Sequence, residues 1–263
     1  MGKSILKSAL IGGCYGVFVE LLYAMYRAIW PTTNYVTALA LLTGGLVIGI
    51  LYVLGIVQKI EPQGGFGTII PLIGVTSMVA ARLNESRKKE KKIFVDAFWS
   101  GSKPSMLMLI SGIIVSIVIS RLALNAIGPG NALAVASPHQ QNIFVEIVMS
   151  FVFMAIIGAI GQLLLVTLKP NFNGVMVILF AFYVCGAFLA AFGIMQALVV
   201  MGPGGMSVPI IDAGEFVFTS LWIPEPGVTF TRLVVFSGLI GSQYMWGAIA
   251  AGIRGKMHPE EIS

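Results

Sequence analysis

The sequence is organised around a short segment that occurs twice. Its first copy is GGFGTIIPLIG, residues 64–74, and its second is GPGGMSVPIID, residues 202–212. In each copy a glycine cluster leads into a small hydroxyl residue and an apolar pair, and a proline follows the last glycine of the cluster by four residues. This recurrence in register indicates an internal repeat. Because glycine permits close backbone approach and proline withholds a donor, each copy is predicted to be a broken or re-entrant helix in an apolar setting.

The composition identifies that setting as a lipid bilayer. Of the 263 residues, 57% are apolar and 10% are charged, and the mean hydropathy is +0.93. A soluble domain carries about 25% charged residues. The length suffices for about six to eight spanning helices of about 20 residues each. We therefore predict an all-α integral membrane protein that binds no nucleic acid, with Cys14 and Cys185 as small buried apolar side chains within it.

The apolar runs divide the chain into two similar halves. The first repeat, residues 1–127, has predicted spans at about 5–30, 35–57 and 105–127, a re-entrant helix at about 64–83, and an interfacial helix at about 93–102. An external linker, residues 128–142, contains no Lys or Arg. The second repeat, residues 143–263, has predicted spans at about 143–168, 172–199 and 230–253, and a re-entrant helix at about 202–222.

The basic residues predict how these helices cross the membrane. Lysine and arginine accumulate on the cytoplasmic side of membrane proteins. With both termini in the cytoplasm and both short helices re-entrant, 13 of the 16 basic residues lie inside, including a cluster of six between residues 82 and 92. Each repeat then has three full spans, so the second is inverted relative to the first. If both short helices crossed instead, the cluster would lie outside, so the sequence favours inverted repeats in the cell (inner) membrane.

This architecture predicts a pathway near the centre of the bilayer. Transporters often build their sites from inverted repeats with discontinuous helices, and helix N-termini favour anions. The alternative is that the glycines only allow tight helix packing. The candidate pathway residues in the two elements are Gly65, Gly67, Thr68, Pro71, Gly204, Gly205, Ser207 and Pro209.

Ionisable side chains within the spans are further candidates, because each is costly in hydrocarbon. Glu20 lies in the middle of the first span, at the position that the repeat assigns to Gln162. Asp212 and Glu215 are three residues apart and so share a helix face, with Arg232 as a candidate partner. Glu146 and Arg121 are expected near the outer interface, where water can hydrate them.

Enzymatic chemistry has little support in the sequence. The two histidines, His139 and His258, lie in the predicted linker and the C-terminal tail. No metal-ligand spacing occurs, and no nucleophile has an evident base. We therefore expect no catalytic residues, no metal site and no cofactor.

Several short motifs resemble a known family. Residues 9–13 and 157–164 resemble the opening helix of the SpoVAC/SpoVAE type of spore membrane protein, and residues 65–78 and 204–216 resemble its glycine and proline segment. The resemblance implies passage of dipicolinic acid, with calcium, across the spore inner membrane during sporulation and germination. This chain differs from the family pattern because it fuses two units, has Asp212 where the first copy has Gly74, and has Glu20 opposite Gln162.

A weaker similarity, in residues 65–74, is to membrane subunits of the sodium-pumping methyltetrahydromethanopterin:coenzyme M methyltransferase. Three functions therefore stay open at this point. The first is a channel or transporter subunit for a small anion or metal chelate. The second is a non-catalytic, ion-translocating subunit of a multi-subunit enzyme complex, and the third is a non-conducting scaffold. The expected partners are lipid, a small molecule or ion, and either other membrane subunits or further copies of the chain.

Overall fold

The computed structural model of the protein describes residues 1–30, 36–90, 94–124, 142–169, 172–202, 205, 210–222 and 226–261. Gly204, Ser207, Pro209 and all but the last residue of the predicted linker lie outside the described residues. Within the described ranges the fold is all-α, as predicted. The helices of the first half are α1 (Gly2–Ile29), α2 (Val36–Val53), α3 (Val57–Gly64), α4 (Phe66–Ile69), α5 (Gly74–Glu90) and α6 (Phe94–Leu124). Those of the second half are α7 (Ile143–Leu168), α8 (Phe172–Ala191), α9 (Ile194–Met201), α10 (Ile210–Trp222) and α11 (Pro226–Met257), with a short 3-10 helix at Pro259–Glu261.

Five of these helices are long and apolar enough to cross a membrane. They are α1, α2, α7, α8 and α11. In α6 the apolar part is shorter, at Ile110–Leu122. The predicted interfacial helix and the span after it are continuous in α6 rather than separate. The described residues therefore have the lengths and composition of a membrane protein.

In each half, a glycine interrupts the chain just after the second helix. Gly55, with φ 76°, separates α2 from α3, and Gly193, with φ 73°, separates α8 from α9. Helices α3 and α9 both have eight residues, and the C-cap of each is a glycine of the repeated segment, Gly65 for α3 and Gly202 for α9. The predicted span at about 172–199 is thus interrupted at Gly193. A left-handed glycine ends a helix at little steric cost, which composition alone does not reveal.

The centre of the fold is the antiparallel pair α1 and α7. Ser4 near the start of α1 contacts Gln162 near the end of α7, and Arg27 near the end of α1 contacts Glu146 near the start of α7. Between them the backbones approach closely: a Cβ added at Gly12 would lie 2.9 Å from the carbonyl oxygen of Met154. Small residues at such a crossing are a common means of packing helices in membranes.

The last helix of each half packs against the other half. Helix α6 contacts α8 and α10, and α11 contacts α2 and α5. Buried Gln243 of α11 shows this exchange, because its Oε1 accepts a hydrogen bond from Thr76 Oγ1 at 2.9 Å and its Nε2 donates to the carbonyl oxygen of Leu41 at 3.1 Å. The halves are therefore interleaved rather than side by side.

Some side chains lie elsewhere than the sequence predicts. Cys14 and Cys185 are exposed and free rather than buried, so they occupy outward faces of α1 and α8. Glu146 is fully buried, whereas we expected a hydrated side chain. Its carboxylate lies 3.3 Å from the Arg27 guanidinium. A partner on a helix distant in sequence thus explains how this charge is accommodated.

Candidate functional site

The first glycine and proline element breaks the chain between α3 and α5. Gly65 has φ 49° and ψ −123°, a conformation that L side chains rarely adopt, and it separates α3 from the single turn of α4. Thr68 Oγ1 donates to the carbonyl oxygen of Gly65 at 2.8 Å, and Gly74 N donates to the carbonyl oxygen of Pro71 at 2.7 Å where α5 begins. Thr68 and Pro71, both candidate residues, are thus buried and stabilise the break locally.

Side chains of α1 and α7 bind the backbone of this element. Gly67 N donates to Ser8 Oγ at 2.8 Å, and Ser8 Oγ donates in turn to the carbonyl oxygen of Gly158 at 3.0 Å. Phe66 N donates to Gln162 Oε1 at 2.9 Å. The amides at the start of α4 therefore have side-chain acceptors, as the N-terminal amides of a buried helix require.

Glycine is required where the element meets these helices. A Cβ on Gly67 would collide with the carbonyl oxygen of Ser8, and one on Gly65 would collide with Gln162 Oε1. On the opposite side, a Cβ on Gly161 of α7 would collide with the ring of Phe66. Phe66 is fully buried and packs on Phe182 of α8, with ring centroids 5.6 Å apart. The element is thus inserted between the two halves.

The second element is bound in a parallel way. Gly205 N donates to Ser150 Oγ at 2.9 Å. A Cβ on Gly205 would collide with Ser150 Cα, so backbone and backbone are again in close contact. Ser150 of α7 is separated from Ser8 of α1 by the same number of residues that separates Gln162 from Glu20. Each element therefore has one glycine amide bonded to a serine from the α1 and α7 pair.

The two sites differ in what the serine hydroxyl bonds to. Ser8 Oγ donates to a backbone carbonyl, that of Gly158, whereas Ser150 Oγ donates to the carboxylate of Glu20, with 2.6 Å between Ser150 Oγ and Glu20 Oε2. Ser8, Ser150 and Glu20 are all fully buried. A carboxylate can bind a proton in water, whereas a peptide carbonyl does so only in strong acid. Of the two sites, only the second therefore contains a titratable acceptor.

Five of the predicted site residues are brought together at these contacts. They are Gly65, Gly67, Gly205, Glu20 and Gln162, joined by Ser8 and Ser150, which we did not predict. Gly204, Ser207 and Pro209 lie outside the described residues. Asp212 and Glu215 lie in α10, and Arg232 of α11 places its guanidinium carbon 4.7 Å from the centroid of the Phe216 ring.

The donors that we expected to face a permeant anion are occupied in this structure. The amides of Phe66, Gly67 and Gly205 bind Gln162, Ser8 and Ser150 respectively. The first amides of α5, from Gly74 onward, donate to carbonyl oxygens of the turn that precedes the helix. These amides can bind a ligand only after the side chains or the turn that now accept their hydrogen bonds have moved.

A partly buried carboxyl group lies next to the first element. Glu61 of α3 lies before the element, outside the spans, and burial raises the pKa of its carboxyl, while a hydrogen bond with Ser77 opposes this shift. Within the described part of the chain, no three His, Cys, Asp or Glu side chains come together to hold a metal ion. A substrate metal would therefore need ligands other than such a cluster among these residues.

Comparison with known proteins identifies the first half. Residues 4–122 match the model of the SpoVAC/SpoVAEB sporulation membrane protein family. The matched range runs from α1 into α6 and contains Ser8, Glu20 and the whole first element, so the resemblance seen in the sequence is confirmed there. Comparisons with curated proteins and with solved structures gave no significant match.

Proposed function

We propose that this protein forms a pathway for a small anion or metal chelate across the membrane, with the two glycine and proline elements as its gate. The observation that carries the proposal is the pair of hydrogen bonds from Gly67 and Gly205 to Ser8 and Ser150. In each half, a break in a helix presents a backbone amide to the centre of the fold. Discontinuous helices of this kind commonly form transport sites in membranes.

The proposed arrangement is two inverted repeats with both termini in the cytoplasm. Its first support is the antiparallel contact of α1 and α7, the opening helices of the two repeats. Its second is that Gln58, near the start of the segment between α2 and α6, and Asn84, within α5, both contact Tyr52: Gln58 Nε2 donates to the carbonyl oxygen of Tyr52 at 3.0 Å, and Asn84 Nδ2 donates to its hydroxyl at 3.3 Å. This return of α5 to the end of α2 supports a re-entrant segment.

The structure corresponds to a closed state in this proposal. Opening separates the elements from α1 and α7 and breaks the bonds of Gly67 and Gly205 to the two serines. The freed amides then face the pathway and bind anionic groups. Because each bond contributes only about 1 kcal/mol, both states are accessible to the same chain.

The substrate that we propose follows from the family. Dipicolinic acid, alone or as its calcium chelate, carries two carboxylates, which freed backbone amides and helix N-termini bind well. The membrane is the inner membrane of the cell or spore. The pathway consists of this chain alone, as a monomer or a homo-oligomer, or is completed by other membrane subunits.

The test is dipicolinate efflux from vesicles that contain the purified full chain. External terbium reports the released dipicolinate by luminescence. We expect efflux above that of protein-free vesicles. In the double variant Ser8→Ala and Ser150→Ala we expect it to rise by about 25-fold, because each lost bond of about 1 kcal/mol changes the equilibrium constant between the closed and open states by about fivefold. Ser120→Ala is the matched control, because buried Ser120 donates only within its own helix, to Ile117 at 2.8 Å. Equal efflux from the double variant and from Ser120→Ala would count against the gate.

A further inference from the structure

We infer that Glu20 is a proton-binding site that controls the strength of the hydrogen bond from Gly205 N to Ser150 Oγ. The inference starts from the one chemical difference between the two serine sites. Ser150 Oγ donates to Glu20 Oε2 at 2.6 Å and accepts from Gly205 N at 2.9 Å. Ser8 Oγ makes the same contact with Gly67 N but donates to the Gly158 carbonyl.

A hydroxyl has one hydrogen to donate and two lone pairs to accept with. When Glu20 is ionised, the Ser150 hydrogen points to the carboxylate. This polarises the Ser150 oxygen and strengthens its bond with Gly205 N. The Gly205 amide is therefore held most firmly while Glu20 is charged.

Protonation of Glu20 reverses this arrangement. The carboxylic acid can itself donate to the second lone pair of Ser150 Oγ, and the Ser150 hydrogen then loses its charged acceptor, so the oxygen is less strongly polarised. The bond to Gly205 weakens as a result. A proton bound at Glu20 thus weakens the hydrogen bond of the Gly205 amide, whereas the serine that binds the Gly67 amide donates to a backbone carbonyl, which is not titratable.

The carboxylate of Glu20 contacts Ser150 Oγ, and charged and titratable side chains lie on several elements around it. Arg27, further along α1, pairs with Glu146 of α7 at 3.3 Å. The titratable side chains on the described elements around Glu20 are Lys3, Lys7, Cys14, Tyr15, Tyr23 and Tyr26 on α1, Tyr52 on α2, Lys59 and Glu61 on α3, Glu146 on α7, and Tyr183 and Cys185 on α8, while α4 and α9 carry none.

Glu20 and Gly205 are linked through Ser150 by hydrogen bonds whether or not the protein transports a substrate. If the proposed pathway exists, acid frees the Gly205 amide before the Gly67 amide. If no pathway exists, Glu20 still binds a proton and still controls the Gly205 amide. A structural measurement therefore tests this inference separately from the proposed function.

The experiment is amide hydrogen exchange of the full chain in lipid nanodiscs, resolved to Gly205 and Gly67, between about pH 5 and 8. The ratio of their protection factors removes most of the intrinsic effect of pH on exchange. We expect protection of Gly205 relative to Gly67 to fall by about fivefold on acidification. A constant ratio in the wild-type chain would overturn the inference without any variant.

Two variants sharpen the result. Glu20→Gln removes the titratable acceptor and is expected to make the ratio independent of pH. Gln162→Glu replaces the amide that accepts the hydrogen bond of Phe66 N by a titratable carboxylate. The exchange protection of the Phe66 amide is then expected to depend on pH. If the pH dependence of the Gly205 amide persists in Glu20→Gln, then another group binds the proton and the assignment to Glu20 is incorrect.

Discussion

Replacing Gly67 by alanine tests the close contact between the first element and α1. The added Cβ would collide with the Ser8 carbonyl oxygen and would lie 3.0 Å from Gly12 N. Both atoms belong to the backbone of α1, so no side chain can rotate away to relieve the contact. The element and the helix must move apart instead.

The magnitude follows from two losses. Overpacking a close contact costs about 1–3 kcal/mol. Separation also breaks the hydrogen bond from Gly67 N to Ser8 Oγ, which contributes about 1 kcal/mol. Alanine recovers up to about 1 kcal/mol of helix propensity. We expect a net loss of about 1–4 kcal/mol in the free energy of unfolding.

The assay is unfolding of the purified chain in mixed micelles with a rising fraction of denaturing detergent. Gly238→Ala is the matched control, because a Cβ on Gly238 of α11 meets no atom within 4 Å. This control should be as stable as the wild-type chain or slightly more stable. If Gly67→Ala falls within about 0.5 kcal/mol of the control, the contact between the element and α1 is not as the structure has it.

Two further predictions concern charged residues. Arg27→Met should destabilise the protein by about 3 kcal/mol in the same assay, because it leaves the buried Glu146 carboxylate without its guanidinium partner; adding Glu146→Leu should recover much of the loss, and no recovery would contradict the pairing. Burial raises the pKa of Glu61, so the folded state binds this proton more tightly than the unfolded state, and stability is gained as the pH falls from the raised pKa to the ordinary value of a glutamate and stays level below it. Glu61→Gln should remove that part of the dependence of Tm on pH, and an unchanged profile would contradict the assignment.

The candidate site residues that could be predicted from the sequence are those that recur in the repeat or that are rare within membrane spans. Gly65, Gly67 and Gly205 were predictable because glycine and proline recur in register in both halves. Glu20 and Gln162 were predictable because the repeat places them at equivalent positions and because polar groups are rare within spans. Each of these signals is visible without any knowledge of tertiary contacts.

The serines carry no such signal. Ser8 and Ser150 are ordinary small residues in membrane helices, and their role arises only because α1 and α7 pack against each other. Their matching spacing becomes informative once the two helices are aligned on Glu20 and Gln162. The burial of Glu146 was unpredictable for the same reason, since its partner Arg27 lies in the other half of the chain.

Helix breaks within long apolar runs could also not be predicted from the sequence. The predicted span at about 172–199 contains no charged residue, yet Gly193 adopts φ 73° and separates α8 from α9. A glycine within an apolar run is equally compatible with a continuous helix, so composition does not decide between the two. The tertiary environment selects the break.

The most direct test of the central claim is the accessibility of single cysteines from each side of the membrane, in a chain without Cys14 and Cys185. Suitable exposed positions are Lys88 at the end of α5, Asn142 at the start of α7 and Lys256 at the end of α11. Inverted repeats with a re-entrant first element predict labelling of Lys88→Cys and Lys256→Cys from the cytoplasm and of Asn142→Cys from outside. If Lys88→Cys labels from the same side as Asn142→Cys, the first element crosses the membrane, and the account of two elements that meet at its centre is contradicted.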